Sequence, residues 1–135
     1  MKPKISVVIP AHNEEVEIKS CLDSIFKQNL PKSEFEVIIV DNASTDKTAK
    51  IIRKYPFKYL YEPKHSVIAA RQAGVAKARG KIIVSADADT LYPQNWLARI
   101  KNDFEADPQL VAVVGWIYYR NAPTLFNLLV AFGQQ

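Results

Sequence analysis

Lys81-Ile82-Ile83-Val84-Ser85-Ala86-Asp87-Ala88-Asp89-Thr90 decides the reading of this chain. Its first half, KIIVS, is β-branched and almost continuously apolar, as a strand covered on both faces should be. Its second half sets two carboxylates one residue apart, directly past that strand. In open α/β sheets ligands bind outside the carboxyl ends of the strands. The stretch therefore predicts a buried parallel strand over Lys81–Ser85 that delivers Asp87 and Asp89 to a functional edge.

Working outward, the alternation repeats. Val67–Arg79 is alanine-rich and reads as a helix, with Gly80 as its terminator. Upstream of it, Phe57–Tyr61 suits a strand, and Ala49, Ile51, Ile52 and Tyr55 suit a short helix ended before Pro56. FEVIIV (35–40) is a strand stopped by the polar cluster Asp41–Asp46. Ile5–Ile9 is the first strand, with Pro10 as its stop. Asn13 is the expected N-cap of a helix carrying Ile18, Cys21, Leu22, Ile25 and Phe26 at helical spacing. Downstream, Pro93 marks a helix start, with Trp96, Leu97, Ile100 and Phe104 on one face. Leu110–Tyr119 reads as one more strand or a bent pair. Strands alternating with helices predict an α/β sandwich with a mostly parallel central sheet.

The bulk numbers agree with one domain that has a core. The chain has 135 residues, 48% of them hydrophobic and 24% charged, so composition excludes a disordered polymer. The net charge of +4 is compatible with anionic partners or with ordinary surface lysine. The basic residues are scattered without an aromatic-interleaved patch, which argues against nucleic acid. The single cysteine, Cys21, excludes an internal disulfide and any Cys/His metal spacing. It sits at an apolar helical position and is read as a small buried hydrophobe. The N-terminus lacks the length and cleavage site of a signal peptide, and no stretch reaches the ~20 apolar residues of a membrane span.

Four polar clusters carry the candidate chemistry. Asp87 and Asp89, held close, repel unless a cation neutralises them. A hard divalent ion with oxygen ligands would do so, Mg²⁺ or Mn²⁺ bridged to substrate phosphates being the expected form. A solvated turn is the competing reading. Asp41-Asn42-Ala43-Ser44-Thr45-Asp46 makes an Asx/Ser turn, and its side chains also suit reading a base: an Asp carboxylate or Asn carbonyl accepts from a uracil N–H. Pro10-Ala11-His12-Asn13-Glu14 is a helix start, and Pro10 and His12 could border a nucleobase pocket. Ala69-Ala70-Arg71-Gln72-Ala73-Gly74 sets one arginine among small residues, suited to a phosphate or to a surface salt bridge. Lys64 and His65, in a loop just upstream, could reach the same phosphates.

The series IPAHNEE (9–15), VDNASTD (40–46), AARQAG (69–74) and ADADT (86–90) resembles the N-terminal half of glycosyltransferase family 2, the inverting GT-A transferases. The likeness runs from about Ile5 to about Tyr119. It implies a GT-A fold, a Rossmann-like α/β/α sandwich that binds a nucleoside diphosphate sugar. It implies that Asp89, with Asp87, holds the metal, that Asp87 contacts ribose or sugar, and that Asp41 and Asn42 face the base. It further implies that Pro10, Ala11, His12, Asn13, Glu14, Ser44, Arg71 and Ala88 complete the donor-binding set. A UDP-sugar is the favoured donor and a GDP-sugar the alternative. Many family members carry a second acidic residue where this chain has Asn42. The reaction implied is metal-assisted transfer of a sugar to an acceptor hydroxyl with inversion, the acceptor being a glycan, polysaccharide or lipid-linked sugar. The rival readings are a nucleotide-binding module without transfer and a nucleotidyltransferase-like enzyme. The glycine-free IPAHNEE segment counts against the last.

An inverting transfer needs a general base. The acidic residues past Asp89 are Asp103, Glu105 and Asp107, on or after a helix. The expectation is therefore that residues 1–135 are a single, incomplete donor-binding domain whose acceptor-binding part, and with it the base, is missing through C-terminal truncation. Pro123–Phe132 is apolar and is read as either a core helix or an interfacial one that makes peripheral membrane contact. The expected location is cytoplasmic, or at the cytoplasmic face of the membrane.

Overall fold

A strand in the middle of a parallel sheet must be apolar on both faces, and ISVVIPA is: all seven residues of β1 (Ile5–Ala11) are buried. The structure, a computed structural model, describes residues 2–113. After β1 come α1 (Ile18–Phe26), β2 (Phe35–Asp41), α2 (Thr48–Ile52), β3 (Lys58–Tyr61), α3 (Val67–Val75), β4 (Ile82–Ser85) and α4 (Trp96–Ala106). The four strands lie in the order β3-β2-β1-β4, and every pairing is parallel. The chain steps outward from β1 to β3, then crosses back to lay β4 on the other side of β1. That reversal makes a crevice between the carboxyl ends of β1 and β4.

The strand period divides the core in two. Ile5, Val7 and Ile9 of β1, Val37 and Ile39 of β2 and Val84 of β4 share a face and pack in one cluster with Ile18, Cys21, Leu22 and Ile25 of α1, Ile52 of α2 and Leu97 of α4. Residues 18, 21, 22 and 25 are the buried stripe of an amphipathic helix. On the opposite face Ile38 and Val40 pack against Ala70 of α3. A Cβ at Gly74 would meet Val8 Cγ1 at 2.3 Å, so the small residues of AARQAG let α3 lie directly on the sheet. Below α3, Ser6 Oγ donates to Glu36 Oε1 at 2.7 Å and accepts from Gly80 N at 2.9 Å, while Arg79 N and Nε donate to Glu36.

Several boundaries differ from the sequence expectation. Pro10 does not stop β1. Even-numbered residues of β1 turn their backbone toward β4, as the Ala86 N–H to Val8 carbonyl bond shows, and β4 pairing ends at Val8. Proline thus falls where the ladder asks for no donor. α3 ends at Val75 rather than Arg79. Gly80 lacks a positive φ; it is small because a Cβ would lie 2.7 Å from the β1 backbone. α4 begins at Trp96, three residues past Pro93, whose carbonyl accepts from Trp96 N. Gln28 secures that start: Nε2 donates to the Pro93 carbonyl at 2.7 Å and Oε1 accepts from Leu97 N at 3.0 Å.

The contacts group the chain into two units, Met1–Asn102 and Asp103–Gln135. In the second, the described residues hold the end of α4 and a turn in which Leu110 N donates to the Asp107 carbonyl and Gln109 N to Asp107 Oδ1. Leu110–Val113 form no strand; the rest of the strand expected there, and the apolar stretch 123–132, lie outside the described residues. Among the described residues no helix is long and apolar enough to cross a membrane.

Candidate functional site

The loops after β1 and β2 hold each other. Asn13 is not an N-cap: α1 starts at Ile18, and Asn13 has φ 54°, a left-handed conformation asparagine tolerates. Its Oδ1 accepts from Thr45 N at 2.8 Å. In return the loop after β2 accepts the backbone donors of the loop after β1. Asn13 N donates to Ser44 Oγ, Glu14 N to Thr48 Oγ1 at 2.8 Å and Glu15 N to Asp46 Oδ2. Glu15 Oε2 accepts from Lys47 N at 3.0 Å. The polar runs NEE and STD thus satisfy one another's backbone groups across the sheet edge.

Asp41 is buried and its carboxylate is occupied, accepting from Ser44 N at 3.0 Å and from the Tyr59 hydroxyl at 2.8 Å. Asn42 is held differently. Its Nδ2 donates to the Glu62 carbonyl at 3.1 Å and to the Lys64 carbonyl at 2.6 Å. Both amide protons are used, which leaves Oδ1 as the side chain's acceptor.

Pro10, Ala11, His12, Glu14, Asn42, Val67, Arg71, Asp87, Ala88 and Asp89 line an open cleft of about 250 Å³. The cleft lies at the β1/β4 reversal. Of the twelve expected donor-binding residues, Asn13, Asp41 and Ser44 do not line it; their side chains build the loops behind it. Val67 lines it without having been expected, an apolar residue at the first position of α3 with no polar signal to mark it.

The β4 end is shaped by contacts that sequence reasoning missed. The Tyr92 hydroxyl accepts from Asp87 N at 2.8 Å and donates to the Asp87 carbonyl at 3.2 Å. Its ring stacks on Trp96, centroids 4.0 Å apart. From behind, the Cys21 thiol points to the same carbonyl at 3.4 Å. Burial, then the charges of Asp89 and Asp87, push that thiol up to about 12, so it stays protonated. The half-buried Tyr92 hydroxyl and the buried Cys21 thiol thereby fix the Asp87 backbone. An aromatic residue three positions past Asp89 was the available signal.

In the cleft, Arg71 donates to Ser85 Oγ and, through NH2, to Asp87 Oδ1 at 2.6 Å. Asp89 is exposed to the cleft and accepts from its neighbour's Thr90 hydroxyl at 3.3 Å. Burial pushes the Glu14 carboxyl above its ordinary value, and the charges of Asp89, Glu17 and Asp46 push the same way against His12. The lining carries three carboxylates and one guanidinium, a formal balance of −2. That surplus, presented by exposed oxygens, suits a hard divalent cation. Among the described residues no group of three or more His, Cys, Asp or Glu side chains is placed to hold a metal. The fit is that of an ion taking one or two carboxylates and completing its shell from a ligand's phosphates.

The model of glycosyl transferase family 2 matches residues 6–131. The chain belongs to this family. Among its glycosyltransferase relatives, AglE of Haloferax volcanii is 36% identical over 103 residues, covering 72% of this chain and 34% of AglE. Two solved glycosyltransferases superpose on the fold. Staphylococcus aureus TarS in complex with UDP gives a TM-score of 0.73 at 30% identity, over 76% of this chain and 32% of that one. The mannosyltransferase PcManGT of Pyrobaculum calidifontis, in complex with GDP-Man and Mn²⁺, gives 0.75 at 32% identity, over 82% and 34%. The α/β fold of this family 2 chain is therefore the GT-A sandwich. It spans about a third of the length of AglE.

Proposed function

We propose that this chain is the donor-binding part of a metal-assisted, inverting glycosyltransferase that takes a nucleoside diphosphate sugar, with a UDP-sugar favoured over a GDP-sugar. The observation that carries the reading is the convergence of Asn42, His12, Arg71, Asp87 and Asp89 on one cleft at the β1/β4 reversal. Asn42 Oδ1, held as an acceptor by the Glu62 and Lys64 carbonyls, suits the N–H of uracil and leaves guanine as the alternative. His12 and Pro10 wall the base and ribose. Arg71 supplies the cationic contact for the diphosphate, and Asp87, held on its backbone by Tyr92, faces ribose or sugar. Asp89 would hold Mg²⁺ or Mn²⁺, which when bound neutralises charge on the departing diphosphate. The sugar acceptor is read as a glycan, polysaccharide or lipid-linked hydroxyl, met at the cytoplasmic face of a membrane.

The test is calorimetric titration of the chain with UDP and with GDP, with and without Mn²⁺ or Mg²⁺. Binding should require the divalent ion, favour UDP, and weaken about tenfold or more in Asp89→Ala. Failure of both nucleotides to bind in a metal-dependent way would falsify the donor-site reading.

A further inference from the structure

His12 and His65 come from different loops, 53 residues apart, and meet Nε2 to Nε2 at 2.9 Å. Their rings lie edge to face, centroids 4.2 Å apart at 67°. His12 lines the cleft; His65 stands outside it. The other nitrogen of His12, Nδ1, lies 2.7 Å from the Asn42 carbonyl oxygen. A carbonyl only accepts, so Nδ1 carries the proton. In the neutral ring Nε2 is then the acceptor. Asn13 Nδ2 approaches that atom at 3.3 Å, and His65 must therefore present Nε2–H to it.

We propose that His65 is a positioning residue for the nucleotide-binding wall: its Nε2–H clasps the His12 ring and fixes its pose beside Asn42.

What the wall contacts rests on the donor-site reading; the clasp does not. The clasp is read first, in the ligand-free protein, by ¹⁵N imidazole NMR. At pH 7.5 His12 should be the Nδ1–H tautomer, held so by the Asn42 carbonyl, and His65→Ala should move the His12 Nε2 signal as that atom loses its donor. An unchanged His12 signal in His65→Ala overturns the clasp, whether or not nucleotides bind. UDP affinity with Mn²⁺ is then measured at pH 7.5. His65→Ala should bind about fivefold more weakly at pH 7.5, the weight of one neutral hydrogen bond. His65→Gln should bind like the natural protein there, because its amide also donates. Full affinity in His65→Ala, or no rescue in His65→Gln, overturns the positioning role. If UDP and GDP bind to no variant while the NMR response holds, the donor-site reading fails and the clasp stands.

Discussion

Arg71 NH2 lies 2.6 Å from Asp87 Oδ1, so one strand-end aspartate has a cation at its carboxylate while Asp89, two residues on, has among the described residues only the Thr90 hydroxyl. Removing the arginine should separate metal from nucleotide. Arg71→Met leaves Asp87 an open anion, and Mn²⁺ alone, followed by electron paramagnetic resonance, should bind about threefold more tightly. UDP should bind less tightly in the same variant. Weakened Mn²⁺ binding would show that Arg71 orders the aspartates instead of competing for them.

Ala43 is held at φ 56°, where a Cβ crowds the following carbonyl. Ala43→Gly should raise stability by about 1 kcal/mol, and Ala43→Val should lower it. Chemical denaturation reads both.

Gly74 offers a two-residue test of how α3 is seated. Gly74→Ala drives a methyl into Val8 Cγ1 and should cost roughly 1–3 kcal/mol. Adding Val8→Ala should restore part of that loss. A double variant no more stable than Gly74→Ala alone would mean that the backbone, not Val8, sets the approach.

Cys21 is buried and is the chain's one thiol. With its ionisation displaced to about 12 by burial and by Asp89 and Asp87, it should resist a thiol-specific disulfide reagent at pH 8 in the native protein and react fully in guanidinium. The sign of its linkage is fixed. The folded chain keeps this proton while the unfolded chain releases it from about 9, so stability should fall as pH rises from about 9 toward 12.

The acid limb has the opposite origin. Burial raises Glu36, but hydrogen bonds from Ser6 and Arg79 more than offset it, and the carboxyl is held below its ordinary value. Asp46 is likewise lowered, the bonds from Thr48 and Glu15 outweighing burial. A lowered carboxyl favours the fold above its unfolded value and loses that effect as pH falls through the folded one. Denaturation midpoints should therefore drop below about pH 4.5, and Glu36→Gln should flatten that drop.

Much of the fold was legible because strand burial is written in local composition. FEVIIV reads as a strand covered on both faces and is one, whereas KIIVS reads the same way but forms β4, which among the described residues is an edge strand with Ile83 and Ser85 exposed. The order of strand-end clusters then located the cleft. Boundaries set by tertiary partners were not legible. Pro10 reads as a stop unless one knows that β4 has already ended beside Val8. Gly80 reads as a terminator unless one knows that β1 passes beneath it. Asn13 and Ser44 have the chemistry of ligand contacts, and only the pairing of two loops distant in sequence shows that this chemistry is turned on the backbone, while the Asp41 carboxylate is taken by Ser44 N and the Tyr59 hydroxyl. The His65 contact was hidden for the same reason, since it acts on a residue of another segment, whereas Tyr92 acts on Asp87 only five residues away.

The mutual capping of the loops after β1 and β2 has a consequence for redesign. Asn13 and Glu15 on one side and Ser44, Asp46 and Thr48 on the other form a single interlocked cassette. Transplanting either loop alone from a relative with another base preference strips backbone partners from the loop left behind. A graft intended to change the nucleotide should carry segments 12–15 and 41–48 together, as one exchangeable part.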